Sequence, residues 1–216
     1  MDGPSGSGKS STSRGVARKF GFDYLDTGAM YRAMAWAVLE AGLLDAGPEA
    51  ITDAVREARL VIERDPDHPR VLINDHDVTE AIRDPRVSQS VSVVATVPAV
   101  REILIARQQA EIADCAGGIV VEGRDITTVV APDADVRVLL VADPEARVAR
   151  RQAELSGVDR AAVTDQVLRR DRDDATVAEF ETAADGVTVV DSTFLDLPQV
   201  IDLVSDLVTA ARDRKA

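Results

Sequence analysis

The chain opens "MDGPSGSGKSS", and within it Gly3 to Ser10 satisfy the pattern G-x-x-x-x-G-K-S/T. The glycines let successive backbone N–H groups turn inward around an anion, and a helix starting at Lys9 would add the positive end of its dipole. Gly3, Pro4, Ser5, Gly6, Ser7, Gly8, Lys9, Ser10 and Ser11 are therefore read as a P-loop that cradles the phosphates of ATP. Lys9 supplies a full charge to the β and γ phosphates, and Ser10 or Ser11 a hydroxyl on the Mg²⁺ side. A loop of this kind normally follows a central buried strand of a parallel sheet, yet only Met1 and Asp2 precede Gly3. Either the natural chain begins upstream, which is the expectation, or the sheet lacks its middle strand, which would leave backbone groups and apolar helix faces exposed.

Short apolar runs alternate with amphipathic stretches, as in an α/β fold with a parallel sheet flanked by helices. Strands are expected at Phe22 to Leu25, Gly118 to Val121, Val136 to Val141 and Val187 to Val190, each rich in Val, Ile or Leu. Helices are expected at Lys9 to Phe20, Met30 to Ala41, Val97 to Ala113, Pro144 to Leu155, Arg160 to Arg172 and Leu197 to Arg212. One stretch, Ala58 to Pro85, breaks the alternation. Leu60 to Ile62 and Val71 to Ile73 flank the turn-rich Asp65-Pro66-Asp67-His68-Pro69, which reads as a small antiparallel hairpin insert with Asp77-Val78-Thr79 as a third strand. His68 and His76 lie on its turns without metal-ligand spacing.

Charge narrows the function. A net charge of −13 repels polyanions, so nucleic acid is not an expected partner and any anion site must be local. One cysteine, Cys115, excludes an internal disulfide and fits a reducing cytoplasm, and no apolar run reaches membrane-spanning length. With only Lys9, Lys19 and Lys215 as lysines, no guanine-reading N-K-x-D or T-K-x-D element exists, so a small-molecule kinase is favoured over a GTPase switch.

Three further stretches carry chemistry. "LDTGAMYR" places Asp26, Thr27 and Gly28 at a strand end and Arg32 on the next helix, where an acceptor phosphate would lie. "IVVEGRDITTVVAPDAD" runs a buried strand into Glu122, Gly123, Arg124 and Asp125; Glu122 suits the second acidic group for Mg²⁺, and Arg124 can neutralise a moving phosphoryl. The Arg-rich stretch Ala146 to Asp174 reads as two helices about Ser156-Gly157. Arg147, Arg150, Arg151 and Arg170 are its candidates for a water-excluding lid, with Arg151 and Arg170 preferred.

Taken in order, "DGPSGSGKSS", "LDTGAMYR", the hairpin insert with "DVTEAIR", "VSVVATVPAVR" and "VEGRDITTVVAPDAD" resemble the bacterial cytidylate kinase family over essentially the whole chain. The resemblance implies transfer of the γ-phosphoryl of ATP to CMP or dCMP with Mg²⁺; the acidic surface and single cysteine argue for a monomer with no obligate partner. The resemblance also implies a core of 1–26, 96–145 and 175–216, a nucleoside monophosphate-binding region at 27–95 and a lid at 146–174. Thr27 and Arg32 would contact the acceptor, Ser92, Arg101 and Asp125 would read the cytosine, Arg124 would bind phosphate and Asp174 the ribose. Cytosine offers acceptors at O2 and N3 and a donor at N4, matching Ser or Arg donors opposite a carboxylate. Two positions depart from the pattern: Val177 stands where relatives carry Arg, and Thr127 where Gly is expected. Two other readings stay open at this point: a P-loop kinase for another small acceptor, and a nucleotide-binding protein with weakened catalysis.

Overall fold

The computed structural model describes residues 1–154, 159–160, 163–165, 171–172, 175 and 182–214. In chain order its elements are α1 (Lys9–Phe20), β1 (Asp23–Asp26), α2 (Thr27–Glu40), α3 (Pro48–Glu57), β2 (Leu60–Glu63), β3 (Arg70–Ile73), β4 (His76–Asp77), α4 (Pro85–Ala95), α5 (Pro98–Ala113), β5 (Ile119–Glu122), β6 (Val138–Val141), α6 (Pro144–Glu154), β7 (Thr188–Asp191) and α7 (Leu197–Asp213). The expected helix Arg160 to Arg172 lies largely outside the described residues. The chain divides into two compact units, one of Met1–Phe22 with Val120–Ala216 and one of Asp23–Ile119.

In the first unit the middle of the sheet is filled by the two residues ahead of the loop. Asp2 bridges Gly123 on one side and Leu139 on the other, both in parallel. The Met1 nitrogen donates to Val121 O at 2.6 Å and Asp2 N to Val138 O at 2.9 Å, while Gly123 N donates to Met1 O at 3.0 Å and Leu140 N to Asp2 O at 2.8 Å. No strand precedes α1 among the described residues; Asp2 stands in the middle position as an isolated bridge to each neighbour. β6 continues the sheet in parallel with β7, Leu139 opposite Val189. Met1 is buried with Val16, Leu140, Val190, Val200 and Val204, which joins α1 and α7 to the sheet in one core. Gly15 permits that contact, because a Cβ there would stand 2.2 Å from Ile201 Cδ1.

In the second unit, α2 to α5 bury Met34, Val38, Ile51, Val55, Val94, Val100 and Leu104 together with Val71 and Ile73 of the small sheet. β2 and β3 pair antiparallel with Leu60 opposite Ile73, as expected of the hairpin. The third strand starts earlier than expected, pairing Ile73 with His76. Asn74 and Asp75 both take positive φ (49° and 68°), the geometry of a two-residue hairpin turn, and that turn sets the register. Helix α2 also begins earlier, because the Asp26 side chain accepts from Ala29 N at 2.8 Å and caps it. α3 and α4 occupy stretches to which the sequence reading assigns no element. Each starts with a proline at its first turn, and α4 is capped by Asp84, which accepts from Arg86 N.

Candidate active site

The loop Gly3 to Gly8 links Asp2 to α1, and its shape is enforced by close approaches. A Cβ at Gly3 would lie 2.2 Å from the Leu140 carbonyl oxygen, and one at Gly6 2.8 Å from that of Arg147. Gly8, at φ 92°, caps α1 with no side chain, leaving the first N–H groups of the helix without intrahelical partners. Lys9 folds its ammonium back over the loop, 3.3 Å from Pro4 O. Ser10 and Ser11 are exposed on the first turn of α1. The Ser7 hydroxyl is buried and has no hydrogen-bond partner among the described residues.

Three groups from distant sequence hold this loop and its neighbour. Ser192, following β7, directs its hydroxyl at Ser7 O (3.1 Å) and Val141 O (3.0 Å). Arg150 of α6 donates to Ser7 O (3.2 Å) and to the Ser192 hydroxyl (2.9 Å), and also bonds the Ser192 carbonyl. The turn carrying Ser192 is itself fixed: Thr193 donates to Asp191 through its hydroxyl and its N–H, and those two bonds hold the Asp191 carboxyl below its ordinary range. Arg147 of α6 donates to Ser5 O at 3.0 Å. Arg147 and Arg150, the two less favoured of the four lid candidates, bond the carbonyls of the loop itself. Arg151 is half-buried on α6. Arg170, Asp174 and Val177 lie outside the described residues.

The second held element is the turn after β5. Asp2, 2 % exposed, accepts from Ile126 N at 2.9 Å and from both the N–H and the hydroxyl of Thr127 at 2.7 Å. Thr127, the departure from the expected Gly, therefore adds a third bond to this carboxylate. The turn carries Arg124, which donates to Gly3 O at 2.6 Å, and the buried Asp125, with Glu122 buried just ahead of it. Asp171, also buried, accepts from Ser5 N at 2.9 Å and from Arg124 at 3.3 Å, and pairs with Arg147. Sequence reading overlooked Asp2, Asp171 and Ser192 as site residues. The run Arg170-Asp171-Arg172-Asp173-Asp174 was a signal for the second, whereas nothing local marks the others.

The second unit carries its own candidate group. Arg32, on the first turns of α2, donates to Asp26 at 2.9 Å, and both side chains are largely buried. Gly28 leaves room for this pair, since a Cβ there would stand 3.1 Å from both Arg32 Nη1 and Asp26 Oδ1. Thr27 is buried at the start of α2, while Ser92 on α4 and Arg101 on the first turn of α5 are half-buried. Among the described residues no group of three or more His, Cys, Asp or Glu side chains could hold a metal. The donors that remain for Mg²⁺, the Ser10 or Ser11 hydroxyl and the Glu122 carboxylate, are hard oxygens. That fits an ion that keeps several waters and takes one or two protein groups plus substrate phosphates. No single described helix is long and apolar enough to cross a membrane.

A family model described as cytidylate kinase matches residues 1–210. Curated relatives carry the same description. One from Cutibacterium acnes is 58 % identical over 96 % of this chain and 94 % of its own length. Another from Rhodococcus opacus is 50 % identical over 93 % of this chain and 90 % of its own, and one from Streptomyces griseus is 45 % identical over 98 % and 92 %.

Proposed function

The chain belongs to the cytidylate kinase family, and on that premise we propose how its residues divide the phosphorylation of CMP by ATP. The reaction gives CDP and ADP. The observation that carries the donor half is the loop Gly3 to Ser11, where Gly3 and Gly6 have no room for a side chain and the buried Ser7 hydroxyl has no partner among the described residues. Gly3, Pro4, Ser5, Gly6, Ser7 and Gly8 surround the ATP phosphates with backbone donors, and Lys9 supplies the charge. Ser10, Ser11 and Glu122 would hold Mg²⁺, which when bound supplies further positive charge to the phosphates.

For the acceptor half, Thr27 and Arg32 hold the CMP phosphate. The Asp26 partner keeps Arg32 in one orientation, so little entropy is lost when the acceptor arrives. Ser92, Arg101 and Asp125 read the cytosine, with the Asp125 carboxylate accepting from N4; uracil would present O4 there and leave buried polar groups unpaired. Arg124, with Arg151 and Arg170 from the lid at 146–174, neutralises the transferring phosphoryl, and Asp174 contacts the ribose. The CMP phosphate oxygen is already ionised at neutral pH, so no strong base is required and transfer is direct and in line. Catalysis is positioning plus electrostatics. dCMP is a second acceptor, the enzyme acts as a monomer, and the reduced thiol of Cys115 suits a cytoplasmic setting.

The test is ADP release from ATP and Mg²⁺ with CMP, dCMP, UMP and AMP offered separately. Turnover with CMP and dCMP alone is the expected result. Equal turnover with UMP would overturn the cytosine-reading assignment, and turnover with AMP would overturn the acceptor assignment altogether.

A further inference from the structure

Asp171 stands where an anion belongs. One of its carboxylate oxygens accepts from the Ser5 N–H of the loop (2.9 Å) and from Arg124 (3.3 Å), and the other pairs with Arg147. The three side chains are largely withdrawn from water: Asp171 is 8 % and Arg147 7 % exposed, and the Arg124 side chain is 15 % exposed. A backbone donor in a phosphate-cradling loop and two guanidinium groups converging on one acid make the donor set that recognises a phosphoryl oxygen. Here the set is satisfied by the chain's own carboxylate. Arg124 cannot aim the same N–H at Asp171 and at a phosphate, nor can the single N–H of Ser5 serve both at full strength.

The geometry points to Asp171 as an internal occupant of the phosphate cradle, bound to Ser5 and Arg124 in the nucleotide-free enzyme and displaced from them by the donor triphosphate. The inference rests on the reading of Gly3 to Ser11 as the ATP loop. The carboxylate neutralises the converging positive groups until ATP arrives. The same contact lowers the enzyme's affinity for any anion that enters, because each must first displace Asp171. A residue that merely positioned Arg124 would act in the opposite direction: its removal would weaken phosphate binding.

The sign of the change is therefore the test. Binding of inorganic tripolyphosphate and of ATP is measured by calorimetry on the full chain and on Asp171→Asn, an isosteric change that removes the charge. The expected result is a dissociation constant at least threefold lower in the variant for both ligands, with tripolyphosphate showing that the effect lies at the phosphates and not at the base. An unchanged or higher constant overturns the proposal. Should Asp171→Asn not fold, a crystal structure of the unaltered enzyme with ATP decides: Ser5 N is expected on a phosphate oxygen and more than about 3.5 Å from Asp171, beyond hydrogen-bond reach. A Ser5–Asp171 bond retained beside bound ATP overturns it. CMP phosphorylation by the unaltered enzyme is measured in parallel, so a failure of the kinase assignment is seen separately from a failure of the Asp171 assignment.

Discussion

The Thr127 hydroxyl donates to the buried carboxylate of Asp2 at 2.7 Å, across 125 residues of sequence. Asp2 closes the centre of the sheet with its backbone and holds the Arg124–Asp125 turn with its side chain. Thr127→Val keeps the shape and removes the donor. We expect a loss of about 1–3 kcal/mol in urea unfolding and a several-fold rise in KM for CMP, because the turn that carries Asp125 loosens. Thr127→Ser should restore most of both. An unaltered midpoint in the Val variant would show that the hydroxyl contributes nothing.

The loop glycines are not equivalent. Gly8→Ala meets open space and incurs only the cost of a left-handed backbone, roughly 1–2 kcal/mol. Gly3→Ala would drive a methyl group to 2.2 Å from the Leu140 carbonyl oxygen, and backbone on both sides must move. Thermal melts with ATP titration should find Gly8→Ala folded and binding, and Gly3→Ala either unfolded or unable to bind. Equal behaviour of the two variants would contradict the loop geometry.

Lys9 and Arg124 are assigned to charge on the moving phosphoryl. Replacing either by Met should lower kcat by roughly 10²- to 10⁵-fold, as for other phosphoryl-transfer cations. Near-normal turnover of Lys9→Met in the ADP-release assay would remove the loop from the chemistry.

Ser192 joins β6 and β7 to the Ser7 carbonyl and accepts from Arg150. It touches no substrate in the proposed assignment, so its effect runs through the loop. Ser192→Ala should raise KM for ATP several-fold while leaving KM for CMP nearly constant. A rise in both, or in neither, argues against this positioning role.

Acid should loosen the small sheet. The Thr79 hydroxyl, the Thr79 N–H and the Arg70 guanidinium lower the Asp77 carboxyl to about 2. An acid whose folded value lies below its unfolded one stabilises the fold fully above the unfolded value, about 3.9, and loses that contribution as pH falls through 2. Amide exchange at Val71, which donates to the Thr79 hydroxyl oxygen, is expected to accelerate between about pH 4 and 2. In Asp77→Asn that acceleration should be absent.

What could be read directly were features made by neighbours in sequence. α1 has the expected bounds Lys9 to Phe20, because Gly8 and Gly21 stop it at both ends with left-handed backbone. The hairpin insert was legible from its alternation and turns, but the third strand was placed late, since the two-residue turn at Asn74 and Asp75 was not distinguished from the following run. α4 escaped notice because "VSVVA" is as apolar and β-branched as a buried strand; burial of Val87, Val91 and Val94 against the unit's core decides for a helix.

By itself the sequence determined the phosphate loop, the α/β alternation and the family, all of which rest on motifs of about ten residues whose chemistry is local. The tertiary structure decided what each polar group in the loop region is bonded to. Arg150 bonds the carbonyl of Ser7, 143 positions away, and the carboxylate of Asp2 holds Thr127, 125 positions away. Such bonds follow from which strands lie side by side in the sheet. A buried donor or acceptor must be satisfied by whatever the fold brings next to it, and no spacing along the chain announces that neighbour.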